Sequence, residues 1–217
     1  MIINTKGVMV YLSKANGTPV PLVPTAITSA KPAVVTVASV AAIKPGDIVE
    51  VGAVGFNELN NKLFVVGKVT ALANTFELVG SNTTTTTGTL NSAPKMTVHT
   101  AADQVRLCLS GMDIAAPSTN EIDVSTFCKE GTLPGKVTPG TVSLSGYADK
   151  DDDGLAELIA ADADGVSRFF QIVLPGTGNG YLVGQLTLSG LSFNVPLEGA
   201  VGFTLTGSQT ERIRWVR

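Results

Sequence analysis

The chain has 217 residues, 44% of them hydrophobic and only 15% charged, with 15 basic against 18 acidic side chains and two cysteines. That is enough apolar material for one large β domain or two small ones. A charged share this far below the usual quarter, with no Lys/Arg run, excludes a surface built to grip nucleic acid or an anionic membrane; no segment approaches the ~20 apolar residues of a membrane span.

Met1-Ile2-Ile3-Asn4 leads into Thr5 and Lys6 with no basic stretch followed by an apolar one, so no targeting leader is expected. Cys108 and Cys128 make no disulfide framework and are expected to stay reduced, in a cytoplasm. Residues 7–12 alternate as a strand, and Asn16-Gly17 is a turn signal after which 18–23 can return. Pro19, Pro21 and Pro24 confine that return to an edge or an extended arm. From about Thr25 short β runs follow at regular spacing: 33–37, then 48–51 after the Lys44-Pro45-Gly46-Asp47 turn, 62–69 and 74–79. This spacing predicts a small barrel or sandwich, closed by Ser81-Asn82 and a solvated threonine run over 83–87.

Beyond Pro94, residues 104–110 alternate, with Val105, Leu107 and Leu109 on one face and Arg106 and Cys108 on the other. Residues 112–120 read as loop, 121–127 as a strand, and 138–147 as a strand with Val142 and Leu144 on one face. The one strong helix signal runs from about 152 to 163: acidic residues at 151–153 favour the helix dipole, Leu155, Leu158 and Ile159 lie on one face, and Gly165 stops it. Strands are then expected at 168–174, at 181–188 with an interruption at Gly184, at 191–197 and at 200–207, before a short tail over 210–217.

Two resemblances organise these elements. The segments "PAVVTVAS", "KPGDIVEVGAVG", "ELNNKLFVV" and "NTFELVG" resemble a small β-barrel module of phage structural proteins, akin to the first catalytic-cysteine half-domain of ubiquitin-activating enzymes; the segment has no cysteine, so the resemblance implies no thioester chemistry. The stretch 120–206, with "EIDVSTF", "LPGKVTPGTVSLSGYAD", "DGLAELIAADADGVSRFFQIVLP" and "GYLVGQLTLSGLSFNVPLEGAVGFTLTG", resembles the major tail tube proteins of long-tailed bacteriophages. Together they imply an all-β chain with one short helix: a discontinuous tail tube domain of packed antiparallel sheets (1–25 and 94–217) carrying an inserted decorating barrel (26–93). The family further implies hexameric rings stacked into a tube that conducts DNA, assembled in the host cytoplasm and resident in the virion. The implied partners are further copies of the chain and the tape measure, tail tip and tail terminator proteins. DNA would pass without specific binding, and the chain would insert in no membrane. Lateral and axial contacts are expected from Ile122, Asp123, Val124 and Phe127, and from Lys129, Leu133, Lys136 and Val137 in a long loop over 129–140. An open-edged sheet is an aggregation hazard that ring closure removes, and strands alternating Thr/Ser with Val/Leu supply one polar face for a lumen and one apolar face for a core. The alternative is a monomeric β-sandwich adhesion or carbohydrate-binding module.

Enzymatic chemistry is poorly supplied, and neither catalysis nor a cofactor is expected. His99 is the single histidine, and no Gly-x-Ser-x-Gly elbow exists to pair with it. Asp149-x-Asp151-x-Asp153-Gly154 mimics the start of a calcium loop, but Ala160 stands where the bidentate Glu belongs. Residues 131–136 mimic a phosphate loop with the wrong spacing, and Val137 replaces the magnesium-binding hydroxyl. The glycine-rich stretch 176–180 reads as a hairpin connection, because no helix follows it.

Overall fold

Alternating apolar and polar residues give strands along most of the chain, and the computed structural model describes residues 7–52, 54–85, 88–123, 132–175 and 180–216. In chain order the elements are β1 (Met9–Ser13), β2 (Val20–Leu22), β3 (Pro24–Ile27), β4 (Ala33–Val37), β5 (Ile48–Val51), β6 (Lys62–Thr70), β7 (Thr75–Val79), β8 (Met96–His99) and β9 (Gln104–Leu107). There follow β10 (Gly111–Ile114), β11 (Ser118–Asp123), β12 (Thr132–Thr138), β13 (Thr141–Tyr147), helix α1 (Asp153–Asp164), β14 (Arg168–Leu174), β15 (Gly180–Asn194) and β16 (Gly202–Val216). They form one seven-stranded sheet in the order β10-β13-β16-β15-β14-β1-β9, a second in the order β2-β8-β5-β6-β7-β4-β3, and a two-stranded ribbon β11-β12. The chain is therefore mainly β with one helix, as its patterning requires.

By contact the chain divides into two compact units: Met1–Leu107 with Phe169–Gly184 and Ile213–Arg217, and Cys108–Arg168 with Gln185–Arg212. In the first unit the β2-to-β3 sheet stands where the turn spacing predicts a small barrel or sandwich. No ladder joins its edge strands β2 and β3. Only Val23 separates them in sequence, so the sheet must curl until its two edges meet there. The central strands are buried on both faces. Val49, Val51, Phe64 and Val66 point into a core with Phe76, Leu78 and Val98. Ile48, Leu63 and Val65 point the other way, against Val183 and Val216 with Phe169 and Tyr181 beside them. Double burial explains why 63–66 reads as an unbroken apolar run rather than an alternation.

Several local expectations need correction. The return after Asn16-Gly17 is β2, an edge strand as the prolines require, but it pairs with β8 and not with β1. The turn is instead tied to Asp103: Lys14 N donates to the Asp103 carbonyl at 2.8 Å and Thr18 N to its Oδ1 at 3.1 Å. The threonine run does not begin in solvent. Thr83 is fully buried, donating to the Thr28 carbonyl at 2.7 Å and accepting from Ala30 N at 3.1 Å, so it latches the loop before β4; Thr86 and Thr87 lie outside the described residues. Within 112–120, which reads as loop, residues 112–114 and 118–120 belong to strands β10 and β11, and 121–123 is strand as expected.

In the second unit α1 has the predicted limits. Asp152 caps it by accepting from Gly154 N at 2.9 Å, and Gly165 closes it with φ +62°. Leu155 and Leu158 are buried as expected; Ile159 is 45% exposed and Ala161 takes the inward position. The two expected strands at 181–188 and 191–197 are one strand, β15, and the expected tail over 210–217 continues β16 to Val216. Gly184 does not interrupt the strand. A Cβ there would lie 2.6 Å from Phe170 Cε1, so glycine makes room for a buried ring.

Candidate assembly surface

The second unit carries one surface of unusual uniformity. Strands β13 and β16 pair so that Thr141 faces Ser208, Ser143 faces Thr206 and Ser145 faces Thr204. The alternate positions, Val142, Leu144, Phe203 and Leu205, are buried. Hydroxyl groups thus cover one face of this ladder while apolar groups cover the other, and each directly opposed hydroxyl pair adds about 0.2–1 kcal/mol. The network extends sideways: Ser192 Oγ lies 2.7 Å from Thr204 Oγ1, and Ser167 Oγ lies 2.8 Å from Thr187 Oγ1 and 2.9 Å from Thr210 Oγ1. Asp113, opposite Ser143 on the edge strand β10, adds a carboxylate, and no lysine or arginine occurs among the residues that pair β10 with β13 or β13 with β16. Strand β10 pairs with β13 on one side only, so its outer edge presents unpaired backbone groups.

Of the residues expected to make subunit contacts, the described ones sit on the ribbon. Ile122 and Asp123 lie on β11, opposite Leu133 and Thr132 of β12. Leu133 and Val137 are 55% and 57% exposed, and Lys136 is exposed. Val124, Phe127 and Lys129 lie outside the described residues. The segment expected as a long loop over 129–140 thus contains a strand, β12, paired to β11 with a register shift between Thr119 and Glu121.

Two further features escaped the sequence reading. The turn between β15 and β16 exposes Phe193, Val195 and Leu197 at 47%, 72% and 107%. Their alternation with Asn194, Pro196 and Glu198 is a visible signal, but over 191–197 it reads simply as a strand. At the foot of the ribbon, Pro117, Thr119, Val137, Pro139, Gln209, Thr210 and Glu211 line an open cleft of about 440 Å³. Gln209 is only 6% exposed; its Nε2 donates to the Ala115 carbonyl at 2.9 Å, and its Oε1 is buried without a hydrogen-bond partner.

The groups weighed for chemistry have other positions. His99 ends β8, 8% exposed, its ring tilted at 46° against Phe169 with centroids 4.1 Å apart and its Nε2 3.8 Å from Glu50 Oε2. The 149–153 acidic run forms the entry to α1, with Asp151 N donating to Asp149 Oδ1 at 3.0 Å. No group of three His, Cys, Asp or Glu among the described residues is placed to hold a metal ion. Arg168, 3% exposed, ties the end of α1 to β14: it donates to the Val166 carbonyl, pairs with Asp164 and approaches Glu157 Oε1 to 3.5 Å. The Val166 N–H and the Arg168 guanidinium hold the Asp164 carboxyl below its ordinary value.

No family model matches the chain, and no curated protein does. Among solved structures it is similar to a chain described as "Virion of native gene transfer agent (GTA) particle", at 17% identity and a TM-score of 0.41, over 51% of this chain and 86% of that one.

Proposed function

We propose that this protein is a non-catalytic structural subunit of a phage-type virion, whose copies close into rings, hexameric by the resemblance of 120–206, and stack into a tail tube that conducts DNA. The observation that carries the reading is the hydroxyl face of β13 and β16 beside the open edge of β10. A wall that conducts a polyanion must be wetted without holding it. Cations would bind phosphate by counterion release, and apolar groups would dewet the channel. Opposed Ser and Thr pairs avoid both. The open edge supplies what a neighbouring copy extends, and a closed ring leaves no edge behind. The module of 26–93 adds mass outside the wall in this reading. Tape measure, tip and terminator proteins are its proposed partners in the virion.

Negative-stain electron microscopy of the purified protein across a concentration series tests this. Rings or hollow tubes with a stain-filled channel are the expected result. Compact monomers at every concentration, with tail-tip initiator present, would overturn it and favour a monomeric adhesion or carbohydrate-binding module.

A further inference from the structure

We infer that the turn between β15 and β16 of one copy seats in the cleft at the foot of the β11–β12 ribbon of a second copy. The joint rests on the self-assembly reading and identifies its axial contact.

The two surfaces match in chemistry. Phe193, Val195 and Leu197 together present roughly 300–400 Å² of apolar surface, the size of the largest patch on a typical soluble protein, which is often functional. Pro117, Val137 and Pro139 give the cleft apolar walls. Beneath them Gln209 Oε1 is a buried acceptor with no donor, and such a group is costly until an N–H reaches it. The bend at 197–199, outside any ladder, carries backbone N–H groups at the apex of the apolar turn. An inserted bend therefore supplies both the missing donor and the apolar filling.

Reach makes the contact intermolecular. The turn precedes β16 and the cleft lies at the middle of that strand: β16 begins at Gly202, and the cleft takes Gln209, seven residues and about 23 Å of extended chain further on. A copy cannot fold its own turn back along its own strand. The contact joins two different surfaces, so it is heterologous, and each copy offers a free turn and, further along the strand, a free cleft. Repetition along the strand direction gives an open-ended column.

Area says how the joint behaves. One turn offers about half of the ~800 Å² per partner that a stable standard interface buries. A single joint is thus weak and two free copies do not pair. Several joints engaged at once between two rings act in parallel and hold.

The test uses the full chain carrying Val195→Asp and Leu197→Asp, both at exposed positions. Rings should persist while the sedimenting tube fraction falls by about tenfold or more, because the loss is repeated at every joint. Tubes formed as readily as by the unaltered chain would overturn the joint and leave the tube reading standing. An unaltered chain that forms neither rings nor tubes would overturn both. A second arm places Leu197→Cys with Val137→Cys in a Cys108→Ser, Cys128→Ser background. Oxidation of assembled tubes should give a disulfide-linked ladder that neither single cysteine gives; assembled tubes without the ladder would overturn the joint even where the aspartate variant loses its rings.

Discussion

Asp47 is buried beneath the turn it closes. Its carboxylate accepts from Lys44 N at 2.7 Å and from Ala101 N at 2.9 Å, so one side chain fixes both the entry to β5 and the exit of β8. Burial raises its pKa above the ordinary 3.8, against the downward pull of those two N–H groups and of the Lys44 charge. Folding therefore favours the protonated acid. Its contribution to stability is full below 3.8 and declines as pH rises through the raised value. Asp103, nearby in sequence, titrates with the opposite sign. Burial pushes its carboxyl up, but hydrogen bonds from Thr100 and Thr18 outweigh that and leave it below 3.8, so its contribution is present at higher pH and lost on acidification. Asp47→Asn keeps an acceptor oxygen and removes one titration. Urea midpoints measured from about pH 4 to about pH 6 should shift in the variant's favour as pH rises. Parallel midpoint profiles for the variant and the unaltered chain would refute the assignment.

At the scale of elements, Gly184 decides whether β15 is one strand or two. A β-carbon at 184 would lie 2.6 Å from Phe170 Cε1 and 3.1 Å from Ile213 Cγ1, and Phe170 is fully buried. Gly184→Ala should cost about 1–3 kcal/mol by overpacking, read as a lower urea midpoint with an unchanged slope. A neutral result would mean that the ring moves aside freely. The same position shows why the sequence was legible in part. Local pattern located every strand core from β4 to β7, the helix with its Gly165 stop, and the Val142/Leu144 face, because these depend on neighbours within a few residues. Gly184 read as a break because its reason, a ring from β14, is remote in sequence. Residues 112–114 read as loop because an edge strand with one partner needs little apolar alternation. The β1–β2 hairpin failed because Asp103, far along the chain, holds the turn. Of the contact residues, Leu133 and Val137 were legible as exposed apolar groups, whereas Gln209 was not: nothing in its neighbours shows that its amide is buried with an unused oxygen.

At the scale of the whole molecule, the proposal turns on the absence of cations from one face. A wall of Ser and Thr releases no counterions from DNA, so DNA within assembled tubes should be held without salt dependence. Ser143→Lys with Ser208→Lys adds two cations on that face. The two sites are not directly opposed, since Ser143 faces Thr206 and Ser208 faces Thr141, so their repulsion is modest. Both replaced side chains are exposed, and the fold should tolerate them. Tubes of the variant should retain short duplex DNA with an affinity that falls steeply as salt rises, by about 0.9 log units per log of salt for each phosphate neutralised. Location is read separately, by adding a nuclease too large to enter an open tube end. DNA held by lysines that line the lumen is protected, and DNA held on an outer surface is digested. Protected, salt-sensitive DNA in the variant, against unretained DNA in the unaltered tubes, places the hydroxyl face on the channel. Digested DNA places it outside, and the conduit would then need another wall.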